Sequence, residues 1–213
     1  MTTIPSVRSV QVGRIAPLGP GGVPSAIVKS PVDGPVAVTM LGLVGDEQAD
    51  PRYHGGPEKA VYGYGAAHFP AWIAEHPDHA NLFVPGGVGE NLTIDGLVEA
   101  DLCVGDVHRI GTAHLQVCQP RQPCFKLALR FADSKLPKAM VRNGRAGWYY
   151  RVIEEGVLAA GDAVELVDRP NPDFAFARLV EIVNFRNASA AEFAAMAAMA
   201  GLASDLRGWA GSR

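Results

Sequence analysis

Glycine and proline interrupt this chain so often, 24 and 16 times in 213 residues, that few stretches can hold more than a short strand or a brief helix. Glycine supplies backbone conformations that other residues avoid, and proline removes an amide donor, so both end regular structure. Between the breaks lie apolar–polar alternations of period two. Residues 7–15 alternate in this way, and 25–29, 36–44, 59–64, 148–154 and 162–168 read as further strands. Residues 106–118 read as two strands broken at Gly111. Phe69, Trp72 and Ile73 at helical spacing predict a short helix from His68 to Glu75, ended before Pro77, and Leu127 to Arg142 reads as partly helical. The pairs Gly45-Asp46, Gly105-Asp106 and Gly161-Asp162 read as turns that open strands, each aspartate bonding its own downstream backbone and carrying no chemistry. Many short strands with few long helices predict a mainly β architecture, a barrel or a sandwich.

Composition shifts near residue 170. Arg169-Pro170-Asn171-Pro172-Asp173 reads as a stiff linker, and the chain beyond it is alanine-rich and helical. The expected organisation is a β domain over 1–170 and a small C-terminal helical domain over 171–213. Ser189-Ala190-Ala191-Glu192 is a capping box that opens a helix with Phe193, Met196, Ala197 and Ala200 on one face, and Gly201 is placed to stop it. A short helix with Leu202, Leu206 and Trp209 follows. Core packing or a homodimer contact is the expected role of this segment.

Hydrophobic content of 48% against 19% charged residues supports a folded core rather than disorder. A net charge of −3 without a basic patch argues against nucleic-acid binding. No apolar run reaches the ~18 residues of a membrane span, and the first residues lack the pattern of a signal peptide. The three cysteines form no CxxC pair, and their odd number fits a reducing cytoplasm better than a disulfide framework.

Three segments have the residue types for chemistry. In Gln119-Pro120-Arg121-Gln122-Pro123-Cys124-Phe125-Lys126 two prolines stiffen an irregular turn that presents a thiol between two cations. Nearby cations favour the thiolate, which is both a nucleophile and a soft metal ligand; a buried, inert cysteine is the competing reading. The loop Arg52-Tyr53-His54-Gly55-Gly56 with Lys59 gathers three cationic or donor groups within eight residues, suited to an anion such as phosphate, or simply solvated. Gly86-Gly87-Val88-Gly89-Glu90-Asn91-Leu92-Thr93 lacks the lysine end of a phosphate-binding loop, but Asn91 and Thr93 could bond a polar heterocycle if the loop is more than a turn. Cys103 and Cys118 lie in apolar runs and read as core thiols.

Together these segments resemble the MOSC domain family, named for the C-terminal domain of molybdenum cofactor sulfurases, and within it the bacterial stand-alone YiiM-like subgroup. The likeness runs through Val44-Gly45-Asp46, His54-Gly55-Gly56, Lys59-Ala60-Val61-Tyr62, Gly89-Glu90-Asn91-Leu92-Thr93, Gln119 to Leu127, Gly147-Trp148-Tyr149 and Gly161-Asp162. It covers roughly residues 10–168, and the helical tail resembles the small C-terminal domain of the same subgroup. The resemblance implies a twisted MOSC-type β-barrel with short helices that binds molybdenum cofactor, a molybdenum-bearing pterin dithiolene. It also implies a single cysteine ligand to the metal, at the position of Cys124. Members of the subgroup are associated with two-electron reduction of N–OH to N–H at a cysteine-ligated oxo-molybdenum centre, on hydroxylaminopurine-type bases and amidoximes. A family-level association with pyridoxal phosphate binding accompanies this.

The expected function is therefore a cytoplasmic molybdenum-dependent N-hydroxyl reductase that detoxifies N-hydroxylated bases. A persulfide sulfur carrier and a non-catalytic cofactor carrier are the alternatives. On the same resemblance Cys124, Arg121 and His54 form the catalytic set, with Arg52, His54, Lys59, Asn91, Thr93, Arg121 and Lys126 holding the cofactor. No flavin or nicotinamide fingerprint is present, so electrons are expected from a separate reductase.

Overall fold

A computed structural model describes residues 4–213. Eight strands form its main sheet. From one edge to the other they run Val164–Asp168, Val107–Ile110, Ala113–Pro120, Trp148–Glu154, Val61–Gly65, Leu92–Asp95, Ser6–Val12 and Ser30–Pro31. Neighbours pair antiparallel except Val61–Gly65 with Leu92–Asp95, which are parallel. Two ribbons flank the sheet: Val36–Thr39 between Gly156–Leu158 and Gly42–Leu43, and Ala16–Leu18 with Val23–Ser25.

The twisted β-barrel expected from the resemblance is not closed among the described residues. The sheet curls until Ser6 forms an isolated bridge with Ala163, but among the described residues no continuous ladder joins its two sides. Val7 N donates to Asp162 O (2.9 Å) and Val164 N to Pro5 O (2.8 Å). Pro5 has no amide to return, which interrupts the seam at the edge of the described residues. The expected sheet-rich fold with short helices holds, with helix (32%) slightly exceeding strand (29%). The prolines explain part of the helix content. Prolines that looked like breakers open short helical segments at Pro51–His54, Pro57–Lys59, Phe69–Glu75, Pro77–Leu82 and Leu136–Asn143, because the first helical turn needs no amide donor there.

Other strand limits shift for local reasons. Residues 26–29, expected as strand, have no regular structure; the strand lies earlier, at Val23–Ser25. Residues 36–44 turn back at Met40 and Leu41, which are exposed. Gly45, Gly105 and Gly161 adopt φ of 96°, 86° and 94° as turn glycines. Their aspartates, however, do not bond downstream. Asp106 and Asp162 accept from Cys103 N and Ala159 N, each three residues upstream, and Asp46 accepts from Gly13 N.

Two apolar clusters fix the layout. In the first, sheet residues such as Val10, Ile94, Leu115 and Trp148 share one core with Phe176, Leu179, Ile182, Met196 and Leu202. The C-terminal helices Phe176–Phe185, Ala190–Ala198 and Ser204–Gly211 are thus docked on the sheet rather than free of it. The capping box forms, Ser189 Oγ accepting from Glu192 N and Glu192 accepting from Ser189 N. That helix ends at Ala198, so Met199 rather than Ala200 is buried. The second cluster joins Tyr62, Tyr64, Trp72 and Phe83 to Leu127, Phe131, Leu136 and Met140. Trp72 Nε1 donates to Tyr64 Oη at 2.6 Å, which satisfies both buried polar tips. No helix among the described residues is long and apolar enough to cross a membrane.

Candidate active site

Strand Ala113–Pro120 ends at a proline, and helix Phe125–Phe131 starts five residues later. Leu127 and Phe131 of that helix are buried in the second cluster. The strand and the helix therefore clamp the connection from both ends. Arg121 N donates to Gly147 O (3.1 Å). Cys124 is the N-cap residue, extended at φ −113° and ψ 174°. It lines a cleft that opens to solvent.

Burial opposes ionisation of Cys124. A hydrogen bond with His54, the Arg121 charge and the Lys126 amide outweigh it and bring the thiol down to about 7. The other cysteines behave oppositely: burial pushes Cys118 up to about 12 and raises Cys103 as well. Both are core thiols, as their apolar surroundings predict.

His54 closes the short helix Pro51–His54 and lines the cleft. Lys59, also in the lining, donates from Nζ to Tyr53 O (2.9 Å) and so braces the same loop. Arg121 is 5% exposed, and its guanidinium lies 5.4 Å from the centre of the Tyr62 ring. Its Nη1 is buried without a hydrogen-bond partner among the described residues. A buried guanidinium with an unused donor is costly unless a ligand supplies the acceptor. Lys126 lines the cleft too.

The remaining expected residues lie elsewhere or are already engaged. Arg52 has a side chain 83% exposed, pairs loosely with Asp50, and is absent from the cleft wall. Thr93 is fully buried, donating to Glu90 and accepting from Gln11. Asn91 reaches the cleft with its amide spent: Nδ2 donates to Asp46 (2.9 Å) and Gln11 O (3.2 Å), and Oδ1 accepts from Tyr62 N (3.1 Å). The glycine loop has a structural explanation. It wraps the buried Glu90 carboxylate, which accepts from Gly86 N (2.8 Å) and Val88 N (3.2 Å). At Gly89 (φ 92°) a Cβ would come within 2.7 Å of Ile27.

Among the wall residues not expected are Lys29, Asp46, Tyr62 and Tyr149. Lys29 Nζ pairs with Asp46 at 2.5 Å, with side chains 7% and 3% exposed. Lys29 is the single charge closing the apolar run Ala26-Ile27-Val28, the one local signal that set it apart. Asp46 looked like a turn residue and nothing more. Burial holds the Tyr62 and Tyr149 phenols protonated by raising both. With Asp46 offset by Lys29 and Glu47 by Arg14, Lys59, Arg121 and Lys126 leave the cleft a site for an anionic ligand beside an ionisable thiol.

A curled sheet with this thiol and these cations at one end belongs to a known class. The MOSC domain family model matches residues 50–165, and the chain belongs to that family. Within it, the chain is a YiiM-like member. It is 47% identical over 150 residues to protein YiiM of Escherichia coli, covering 70% of this chain and 67% of that protein. The structure of YiiM from Geobacillus stearothermophilus matches with a TM-score of 0.82 at 33% identity, over 98% of each chain. A protein named Reductase from Gibberella moniliformis is 40% identical over 182 residues, 84% of this chain. This chain spans only 32% of that relative's length. Membership brings a molybdenum-cofactor-associated function, and the similarity to a protein named Reductase is consistent with an oxidoreductase role.

Proposed function

We propose that the cleft holds molybdenum cofactor and that the chain reduces N-hydroxylated small molecules, hydroxylaminopurine-type bases and amidoximes among them, with electrons from a separate reductase. One observation carries the reading: an ionisable thiol and a buried, unpartnered Arg121 donor share one cleft wall. The residues present fit the group. A thiolate is a soft ligand suited to molybdenum, and Arg121, Lys59 and Lys126 suit the pterin phosphate.

When bound, the cofactor supplies two-electron chemistry that removes oxygen from an N–OH group. Overall, R–NHOH takes up two electrons and two protons and yields R–NH₂ and water. The chain contributes placement and protons. Pro120 and Pro123 hold the Cys124 sulfur still, and the packed helix behind it prevents retreat. His54 lines the same cleft as that sulfur and its imidazole can pass a proton there. Tyr149, kept protonated by burial, offers a neutral donor in the same wall. The identity with a protein named Reductase supports the reaction class.

Metal analysis of wild type and Cys124→Ser, expressed in a host that makes the cofactor, tests the reading. The expected result is about one molybdenum per chain in wild type, lost in the variant together with benzamidoxime reduction. Equal molybdenum in both overturns the ligand assignment. Cyanide-labile sulfur on Cys124 without reduction points to a persulfide carrier instead.

A further inference from the structure

Glu58 is the point where the C-terminal helices meet the loop that carries His54. Its carboxylate accepts from Ser204 N at 3.0 Å and from Ser204 Oγ at 2.8 Å. It also pairs with Arg151 Nη2 at 2.5 Å. Ser204 is the first residue of helix Ser204–Gly211, whose N-cap Ala203 provides no side-chain cap. Glu58 therefore caps that helix from outside, a negative charge at the positive end of the dipole. The backbone of Glu58 faces the other way. Its carbonyl accepts from Gln119 Nε2 (2.8 Å) and Cys118 Sγ (3.1 Å), on the strand that leads into Arg121 and Cys124. Ala203 N donates to Cys118 O (2.9 Å), so strand, loop and helix meet at one place.

The consequence for the cleft follows from chain distance. Glu58 adjoins Lys59 and lies four residues after His54, across the Gly55-Gly56 pair, where Gly56 has φ 88°. A loop with two adjacent glycines is poorly ordered by itself. The contacts of Glu58 are what fix its far end. We propose that Glu58 is a positioning residue, and that helix Ser204–Gly211 holds the His54–Lys59 loop in place through it. This rests on the proposed function only for its catalytic meaning; the positioning itself is independent of any bound group.

Ser204→Pro separates the bond from the fold. Proline is favoured at the first helical position. Ala203 at φ −58° and ψ 142° has the conformation that precedes proline readily. The variant keeps the helix and removes both Ser204 donors to Glu58, leaving the Arg151 pair in place. Hydrogen–deuterium exchange on the full chain, followed by mass spectrometry, is the readout. Exchange in the segment 50–60 is expected to accelerate by at least about tenfold, while 205–211 and 92–95 stay protected. Glu58→Ala should do the same, and Ser204→Thr, which keeps both donors, should match wild type. Unchanged exchange over 50–60 in Ser204→Pro, or acceleration confined to 205–211, overturns the proposal. Molybdenum retained through gel filtration gives the link to function and should fall in Ser204→Pro. A wild type that holds no molybdenum sinks the proposed function and leaves the exchange comparison decisive for Glu58.

Discussion

Alkylation of Cys124 by iodoacetamide, followed against pH on protein free of metal, tests the electrostatics of the cleft directly. The thiol sits at about 7 instead of its ordinary 9.0. At pH 7 about half of it is thiolate, against roughly 1% for an unperturbed thiol, a gain of about fiftyfold. A thiolate of lower basicity is a weaker nucleophile. With a Brønsted slope of about 0.4–0.5, two units remove roughly six- to tenfold of that gain. Cys124 should therefore react about five to eight times faster at pH 7 than a free cysteine peptide. The sign follows from the lowered value: reactivity persists above about pH 7 and is lost as pH falls through it. The rate should level off by about pH 8, where the peptide's rate still rises. His54→Ala removes the hydrogen bond that favours the thiolate and should move the midpoint upward, towards 9.0. Cys118 and Cys103, both buried with raised thiols, should stay unmodified until the chain unfolds. A wild-type midpoint near 9.0, or one that His54→Ala leaves in place, would refute the account.

Further outcomes are measurable on the same material. Lys29→Met strands the buried Asp46 carboxylate and should cost about 3–5 kcal/mol in urea unfolding, the range for a broken buried pair. Gly89→Ala places a Cβ 2.7 Å from Ile27 at a φ of 92°; a loss of about 1–3 kcal/mol is expected, with less molybdenum bound. Trp72→Ala empties the centre of the second cluster and should cost about 3–5 kcal/mol. Arg121→Lys keeps the charge but not the planar fork over Tyr62, so bound molybdenum should fall in spite of it.

The contrast between Cys124 and Asp46 shows what kind of information the chain carries openly. Cys124 stood out because its surroundings are local: two prolines, two cations and a helix that begins at the next residue all lie within a few positions. The same holds for the Phe69–Glu75 helix, the hairpin at Gly111 and the Ser189 capping box. Asp46 was read as a turn because its local neighbour, Gly45, explains it as one. Its bonds to Gly13, Lys29 and Asn91 span 33, 17 and 45 residues, and no periodicity reports such distances. Arg52 lies off the cleft wall for the opposite reason. It sits in the right segment, but a helix turns neighbouring side chains to different sides, and the short Pro51–His54 helix leaves His54 at the cleft and Arg52 in solvent.

The same distinction accounts for the sheet and for the site. Strand positions follow from alternation along the chain. Closure depends on whether residues 5–7 and 162–164 can keep exchanging hydrogen bonds, and Pro5 stops that exchange. At the cleft, the identity of the thiol was a local fact, but its chemistry is not. The lowered thiol needs His54 and Arg121, which arrive from a loop 70 residues away and from the end of a strand. That loop in turn depends on Glu58, and Glu58 on a helix 146 positions further on. The helical tail therefore belongs to the physics of the cleft even though no residue of it lines the wall. A substitution at Ser204 should then be felt at His54 before it is felt in global stability.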